Sequence, residues 1–275
     1  METTTSADGT TIAFDRLGAG TPLILVAGAT SDRQGSARHA EALARHFTVY
    51  NYDRRGRGDS TDTQPFAVDR EIEDIAALLD VANAAGTTGS PGGAVVVGFS
   101  SGAALAARAA AKLPTRALIM WEPPFAVDDA GLARARDYTD ALTARLEAGE
   151  RDGAFELFLR YVGMPDEAIA GMRQSPYWPG AVRIAPTLAY DNAALAGSVI
   201  PTELFARIAT PTLVLGGGAS PAFLQAGPRA AADAIPGARF AILDGQTHDV
   251  DPEMLTTAVH EFVAGLASHA GTVAG

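Results

Sequence analysis

Short apolar runs alternate with amphipathic stretches along most of this chain. Thr10-Thr11-Ile12-Ala13-Phe14 switches between polar and apolar positions, and Gly18-Ala19-Gly20 then turns the chain. Leu23-Ile24-Leu25-Val26 is apolar throughout, as a strand covered on both faces is. An amphipathic helix is predicted over 37–46, and Thr48-Val49-Tyr50-Asn51-Tyr52 reads as the next strand. Over 68–85 the apolar spacing Ile72, Ile75, Ala76, Leu79 is that of a helix packed on a sheet. Val95-Val96-Val97 and Ala117-Leu118-Ile119-Met120-Trp121 are further strands, with a small-residue helix over 103–110 between them. Past residue 206 the alternation returns: strand 212–215, helix 221–234, strand 240–243, helix 252–267. Strands alternating with helices predict an α/β fold, a mostly parallel sheet with helices on both faces.

The alternation stops between Glu122 and about Arg207. That stretch has helical patterns over 132–148, 153–162 and 167–173 and no convincing strand. It also holds Phe125, Phe155, Phe158, Tyr161, Tyr177, Trp178 and Tyr190. An insertion after a strand's C-terminal end roofs the crevice where open α/β sheets bind ligands, so we expect a helical lid over 123–206. The core then comes in two parts, 1–122 and 207–275.

The chemistry concentrates at Gly98-Phe99-Ser100-Ser101-Gly102, where a strand runs into a helix with a serine at the apex. This G-x-S-x-G turn strains the serine backbone and lifts the hydroxyl off the sheet, beside the positive end of a helix. A Cβ at either flanking glycine would collide with a neighbouring strand or helix. The pentapeptide is weak evidence alone and strong in this strand–helix setting. Ser100 is therefore the candidate nucleophile, and it needs a base. Of five histidines, His39 and His46 fall on the early helix, predicted to lie at the surface, His260 on the last helix and His269 in a tail expected to fray. His248 sits in the loop Gly245-Gln246-Thr247-His248-Asp249, between a strand and the final helix, and is the candidate base.

Composition narrows the partners. The 275 residues carry a net charge of −11, which argues against nucleic acid and anionic membrane. No apolar run approaches a membrane span, and Met1-Glu2-Thr3-Thr4-Thr5 shows no secretory signal, so the cytoplasm is the default expectation. The absence of cysteine excludes disulfides, thiol catalysis and cysteine-ligated zinc. The partner expected is a small molecule, and oligomeric state is not legible.

The elbow at Ser100, Asp53-Arg54-Arg55-Gly56-Arg57-Gly58-Asp59-Ser60 after the fourth strand, and the His248 loop together resemble the α/β-hydrolase superfamily over almost the whole chain. More narrowly, Phe99 to Leu105, Trp121-Glu122-Pro123-Pro124-Phe125 and Gly245 to Glu253 resemble actinobacterial α/β-hydrolase-fold proteins of mostly unassigned function. The resemblance implies an eight-stranded sheet, a helical lid after the sixth strand, the order serine, acid, histidine, and neither cofactor nor metal. It implies an oxyanion hole made of the backbone N–H groups of Ser101 and Ala29, the latter within Val26-Ala27-Gly28-Ala29-Thr30. Many relatives have His-Gly where this chain has Ala27-Gly28.

The acid departs further from the family pattern. Relatives place an aspartate just beyond the strand ending at Leu215, where this chain has Ser220. Losing the acid costs a serine protease about 10⁴-fold. Glu122, ending the sixth strand, is the proposed stand-in; Asp249 ranks below it because a sequence neighbour rarely points back at the same ring. Asp53 and Arg54 to Arg57 read as structural.

These readings lead to a serine hydrolase of an ester, thioester or lactone, with Ser100, His248 and Glu122 catalytic and Gly28, Phe125 and Trp178 touching a small, mostly apolar substrate. Two rivals stand beside it. One is a non-hydrolytic enzyme on this scaffold (cyclase, lyase or C–C bond cleavage), motivated by the rewritten acid loop. The other is a ligand-binding protein that has lost turnover.

Overall fold

The computed structural model describes residues 1–85 and 93–272, with side chains of the last helix described as far as residue 266. The reading of His269 lies outside the described side chains. Eight strands form one sheet in the order β1-β2-β4-β3-β5-β6-β7-β8. They are β1 Glu2–Thr5, β2 Thr11–Leu17, β3 Thr21–Val26, β4 Phe47–Tyr52, β5 Val95–Phe99, β6 Ala117–Trp121, β7 Thr212–Gly217 and β8 Arg239–Leu243. Only β1–β2 and β2–β4 pair antiparallel; every other pair is parallel. This is the eight-stranded topology that the resemblance to α/β hydrolases implies.

The helices are α1 Ala37–Leu43, α2 Val68–Ala84, α3 Ser101–Ala110, α4 Asp129–Glu147, α5 Arg151–Tyr161, α6 Asp166–Arg173, α7 Trp178–Ile184, α8 Leu188–Ala194, α9 Thr202–Phe205, α10 Ala222–Ala234 and α11 Pro252–Thr272. Alternation along each strand divides the core. Val96, Met120 and Val214 face one layer with α2, α3 and α10; Val95, Val97 and Trp121 face the other with α1 and α11. Helix α3 is mostly alanine, with serine, glycine and one leucine, on its buried faces, so it lies close against β5 and β6.

Strand β1, which the pattern left unread, is a short, mostly exposed, threonine-rich edge strand with no apolar face to betray it. Strand β7 runs two residues past Leu215, into Gly216-Gly217. Helix α4 starts at Asp129 rather than 132, because the Asp128 side chain caps it by accepting from the Gly131 N–H at 2.7 Å. His39, expected at the surface, is buried. His46 and His260 are exposed.

Six helices, α4 to α9, separate β6 from β7. Tyr138, Leu142, Phe155, Leu159, Trp178 and Leu188 give this segment a core of its own. Among the described residues no helix is long and apolar enough to cross a membrane.

Parallel register brings one set of strand ends together. Val26 lies opposite Gly98, Phe99 opposite Trp121, Trp121 opposite Leu215, and Gly217 opposite Leu243. The segments that follow β3, β5, β6, β7 and β8 therefore leave from the same edge, under the helical segment.

Candidate active site

Ser100 occupies the apex of the β5–α3 turn with φ +54° and ψ −124°, a backbone state that residues with a Cβ rarely adopt. Its N–H donates to the Trp121 carbonyl at 2.9 Å, which ties the strained turn to β6. The flanking glycines are sterically required. A Cβ on Gly98 would lie 2.5 Å from the Ala103 Cα, and one on Gly102 would lie 2.5 Å from the carbonyl oxygens of Val26 and Ala27. Helix α3 begins at the next residue, so the positive end of its dipole lies at the serine.

Glu122 follows β6 directly and also has left-handed backbone, φ +41°. Its carboxylate is buried and both oxygens are engaged. Oε1 accepts from the Gly217 N–H at 2.8 Å, and Oε2 is 2.7 Å from the His248 Nδ1. The His248 loop reaches this point by crossing over the end of β7. A Cβ on Gly217 would stand 2.5 Å from the Gln246 carbonyl oxygen, so glycine there is what admits the crossing. Bonds from β6 and α1 also hold the loop. The Trp121 indole donates to the His248 carbonyl at 3.0 Å, and the buried His39 ring meets the Val250 carbonyl through Nε2 at 3.1 Å.

The His248 side chain is 41% exposed. With Nδ1 on Glu122, its Nε2 is left for the cavity that Ser100 also faces. Ser100 Oγ and His248 share no hydrogen bond in this structure, a bond that in such sites tightens on substrate binding. Asp249 is turned away, paired with Arg38. Ser220 Oγ is buried with no hydrogen-bond partner among the described residues.

The β3 loop closes the other side. A Cβ on Gly28 would lie 3.0 Å from the Phe99 carbonyl oxygen and 3.1 Å from the Ser100 Cβ, so Gly28 abuts the serine. Arginines brace this loop around Ala27-Gly28. Arg57 donates from Nη1 to the Gly28 carbonyl at 2.6 Å and the Ser31 carbonyl at 3.3 Å. Arg54 donates to the Ala27 carbonyl at 3.3 Å. Asp53 holds the same loop by accepting from the Arg33 N–H at 2.7 Å.

Sequence reasoning missed Asp191, on α8. Its buried carboxylate accepts from Arg54 at 2.5 Å, from Arg57 at 2.6 Å and from the Ser101 hydroxyl at 2.8 Å. Burial works against its ionisation, but the two guanidinium groups and these hydrogen bonds outweigh burial and hold the carboxyl below its ordinary range. Glu71 also pairs with Arg54, in two bonds of 2.8 and 2.9 Å. The signal available was the pair Arg54 and Arg57 itself, since fully buried guanidinium groups require carboxylates. His39 was also missed, although it stands four residues before Leu43 on the apolar face of α1. Burial lowers its basicity.

A cavity of about 700 Å³ lies over these groups. Ser100, Ser101, His248, Gly28 and Ala29 line it, while Glu122 stands behind His248. Phe125 and Trp178 are not on its wall. Phe125 packs edge-on against Phe205 at 5.7 Å between ring centres, in the layer shared by α3 and α9. Trp178 is sealed in the core of the helical segment, 5.0 Å from Phe155, its indole donating to Asp152 at 2.8 Å. The aromatic wall comes instead from Tyr138, Phe158 and Tyr161, with Phe99 and Phe223 from the core. Among the described residues no cluster of three or more histidine, aspartate or glutamate side chains could hold a metal ion.

The signature of the alpha/beta hydrolase family matches residues 23–264. An alpha/beta hydrolase from Sphaerobacter thermophilus DSM 20745 is 48% identical, with a TM-score of 0.83 over 95% of this chain and 99% of that one. Two more distant structures share the fold. A thermophilic esterase from Thermogutta terrifontis is 24% identical, with a TM-score of 0.68 over 96% of this chain and 98% of that one. An esterase from Rhodococcus sp. ECU1013 is 20% identical, with a TM-score of 0.67 over the same shares. No curated protein matches. The family signature and the 48% identical structure agree with the strand order and the turn at Ser100: the chain belongs to the α/β hydrolase family.

Proposed function

We propose that this protein is a serine hydrolase that cleaves an ester, thioester or lactone of a small molecule through an acyl-enzyme. The 2.7 Å contact between Glu122 and His248 carries the reading, because it supplies the acid that Ser220 cannot. Glu122 fixes the proton on Nδ1, so Nε2 is the basic nitrogen. His248 takes the proton from Ser100 Oγ as that oxygen attacks the carbonyl carbon. The N–H groups of Ala29 and Ser101 receive the oxyanion, each donor worth roughly 100- to 1000-fold in rate. His248 then protonates the leaving oxygen or sulfur. Water, deprotonated by the same nitrogen, releases the acid and restores Ser100.

The distant esterases sharing the fold are consistent with this chemistry, and the narrower likeness to actinobacterial proteins of unassigned function leaves the substrate to be read from the cavity. A volume near 700 Å³ suits a single small ligand. The helical segment 123–206 acts as a lid, placing Tyr138, Phe158 and Tyr161 over the nucleophile and excluding water.

The test is turnover of short-chain esters in ¹⁸O water. Wild type should release the acid with one solvent oxygen in its carboxyl group, and Ser100→Ala should lose turnover by several orders of magnitude. A product that forms without solvent oxygen would replace hydrolysis with the cyclase or lyase reading.

A further inference from the structure

Among the described residues, charged groups on the cavity wall are, with one exception, compensated by the protein itself. Asp191 meets Arg54 and Arg57, Asp249 meets Arg38, and His248 meets Glu122. Burial holds His39 toward its neutral form. The exception is Arg134, on α4. Among the described residues no carboxylate pairs with its guanidinium, not even Asp137 one turn further along the helix.

The contacts of Arg134 are all neutral and fix where it points. Nη2 donates to the Tyr161 carbonyl, and the guanidinium carbon lies 4.7 Å from the centre of the Tyr161 ring and 5.6 Å from that of Phe223. Tyr161 ends α5 in the helical segment, whereas Phe223 belongs to α10 of the core. Arg134 therefore bridges the two walls of the cavity at its rim, where Val162 and Phe223 stay 44% and 47% exposed. Aromatic faces hold a guanidinium by its plane and leave its edge open. The remaining N–H groups have no acceptor among the described residues and form the planar fork that a carboxylate accepts in two parallel bonds.

We propose that Arg134 is a recognition residue for an anionic substrate, one that carries a carboxylate apart from the bond Ser100 attacks. The inference rests on the hydrolase reading for the reacting end and on Arg134 for the other. It sharpens the substrate class from mostly apolar to amphiphilic: an ester, thioester or lactone with an apolar body lying along Tyr138, Phe158 and Leu188 and an anionic terminus at the rim. Arg134 is the one cation on the wall that no carboxylate compensates among the described residues, and a wholly apolar substrate would leave it to water alone.

Two p-nitrophenyl esters of equal length test this: mono-p-nitrophenyl adipate, ending in a carboxylate, and its methyl-capped neutral counterpart. We expect R134M to lower the ratio of kcat/KM for the acid to that for the capped ester by about tenfold, since hydrogen bonds to charged groups are the stronger ones and this one is partly solvated. R134K should recover only part, because an ammonium lacks the fork. A second readout needs no chemistry: in Ser100→Ala protein, calorimetry should give mono-p-nitrophenyl adipate an about tenfold larger Kd when Arg134 is also replaced by methionine. An unchanged ratio and an unchanged Kd overturn the proposal. Arg134-dependent binding without turnover in wild type overturns the hydrolase reading and leaves the anionic site standing.

Discussion

Replacing Asp191 with asparagine alters one charge at the junction of the helical segment and the turn that carries Ser100. The cost follows from what each neighbour retains. Arg54 keeps Glu71, bound through two hydrogen bonds, and stays compensated. Arg57 keeps only neutral acceptors, the carbonyls of Gly28 and Ser31 and the Thr187 hydroxyl, because Asp191 is its sole carboxylate partner among the described residues. Desolvation and the nearby Arg54 already lower its affinity for a proton. Stranding a buried cation in this way costs about 3–5 kcal/mol. Unfolding entropy of about 2.1 cal/mol/K per residue over 275 residues gives roughly 0.58 kcal/mol/K, so a loss of about 4 kcal/mol lowers Tm by about 7 °C.

The same change should touch catalysis. Asp191 accepts from the Ser101 hydroxyl, and Arg57 holds the Gly28 carbonyl. A loosened cluster displaces both proposed oxyanion donors, and small misplacements of this kind cost about 10- to 100-fold. We expect kcat to fall by that factor at a temperature where the variant is fully folded, with a smaller change in KM. The sign of the acid dependence agrees: Asp191 has a depressed folded value, so its contribution is present above the ordinary aspartate value of 3.8 and disappears as pH falls through the lower one. Scanning fluorimetry and steady-state kinetics on Asp191→Asn check both parts. A Tm within about 2 °C of wild type, beside an unchanged kcat, would refute the reasoning.

Glu122→Gln keeps an acceptor for the Gly217 N–H but presents an amide donor to His248, which forces the wrong tautomer. We expect kcat/KM to drop by about 10³- to 10⁴-fold with little loss of Tm, measured on any ester that wild type turns over. Ser220→Ala removes a buried hydroxyl that has no partner among the described residues, so stability should rise by about 1 kcal/mol in denaturant titration. His39 has a lowered folded value, so between the ordinary 6.5 and that value the unfolded chain binds a proton that the folded chain does not. Wild type therefore loses stability as pH falls through that window, and the Tm of His39→Asn should vary less across it.

What the sequence showed, and what it hid, divides by the range of the interaction. The strand, turn and helix around Ser100 depend on neighbours in the chain, so Gly98 and Gly102 announced them. The position of Glu122 near His248 was legible because strand order alone places the end of β6 beside the ends of β5 and β7. Asp191 and Arg134 were not, because their roles depend on how α8 and α4 dock onto the core. Phe125 and Trp178 show the same limit from the other side: an aromatic residue in an insertion signals burial, and helices must bury apolar faces in a core of their own before they can line anything. Tyr177, also aromatic, is 82% exposed. Phe158 and Tyr161 reach the cavity from the face of α5 left over once that core is packed, and Tyr138 of α4 belongs to the core and lines the cavity as well.

The account stands or falls on Ser100 as a nucleophile activated by His248. Folded wild-type protein treated with a fluorophosphonate and weighed by intact-mass spectrometry should gain one phosphonyl group, mapped by peptide digestion to Ser100. Ser100→Ala should gain none, and His248→Gln should react slower by orders of magnitude. Wild-type protein that stays unmodified, or a Ser100→Ala variant that labels equally fast, would contradict it.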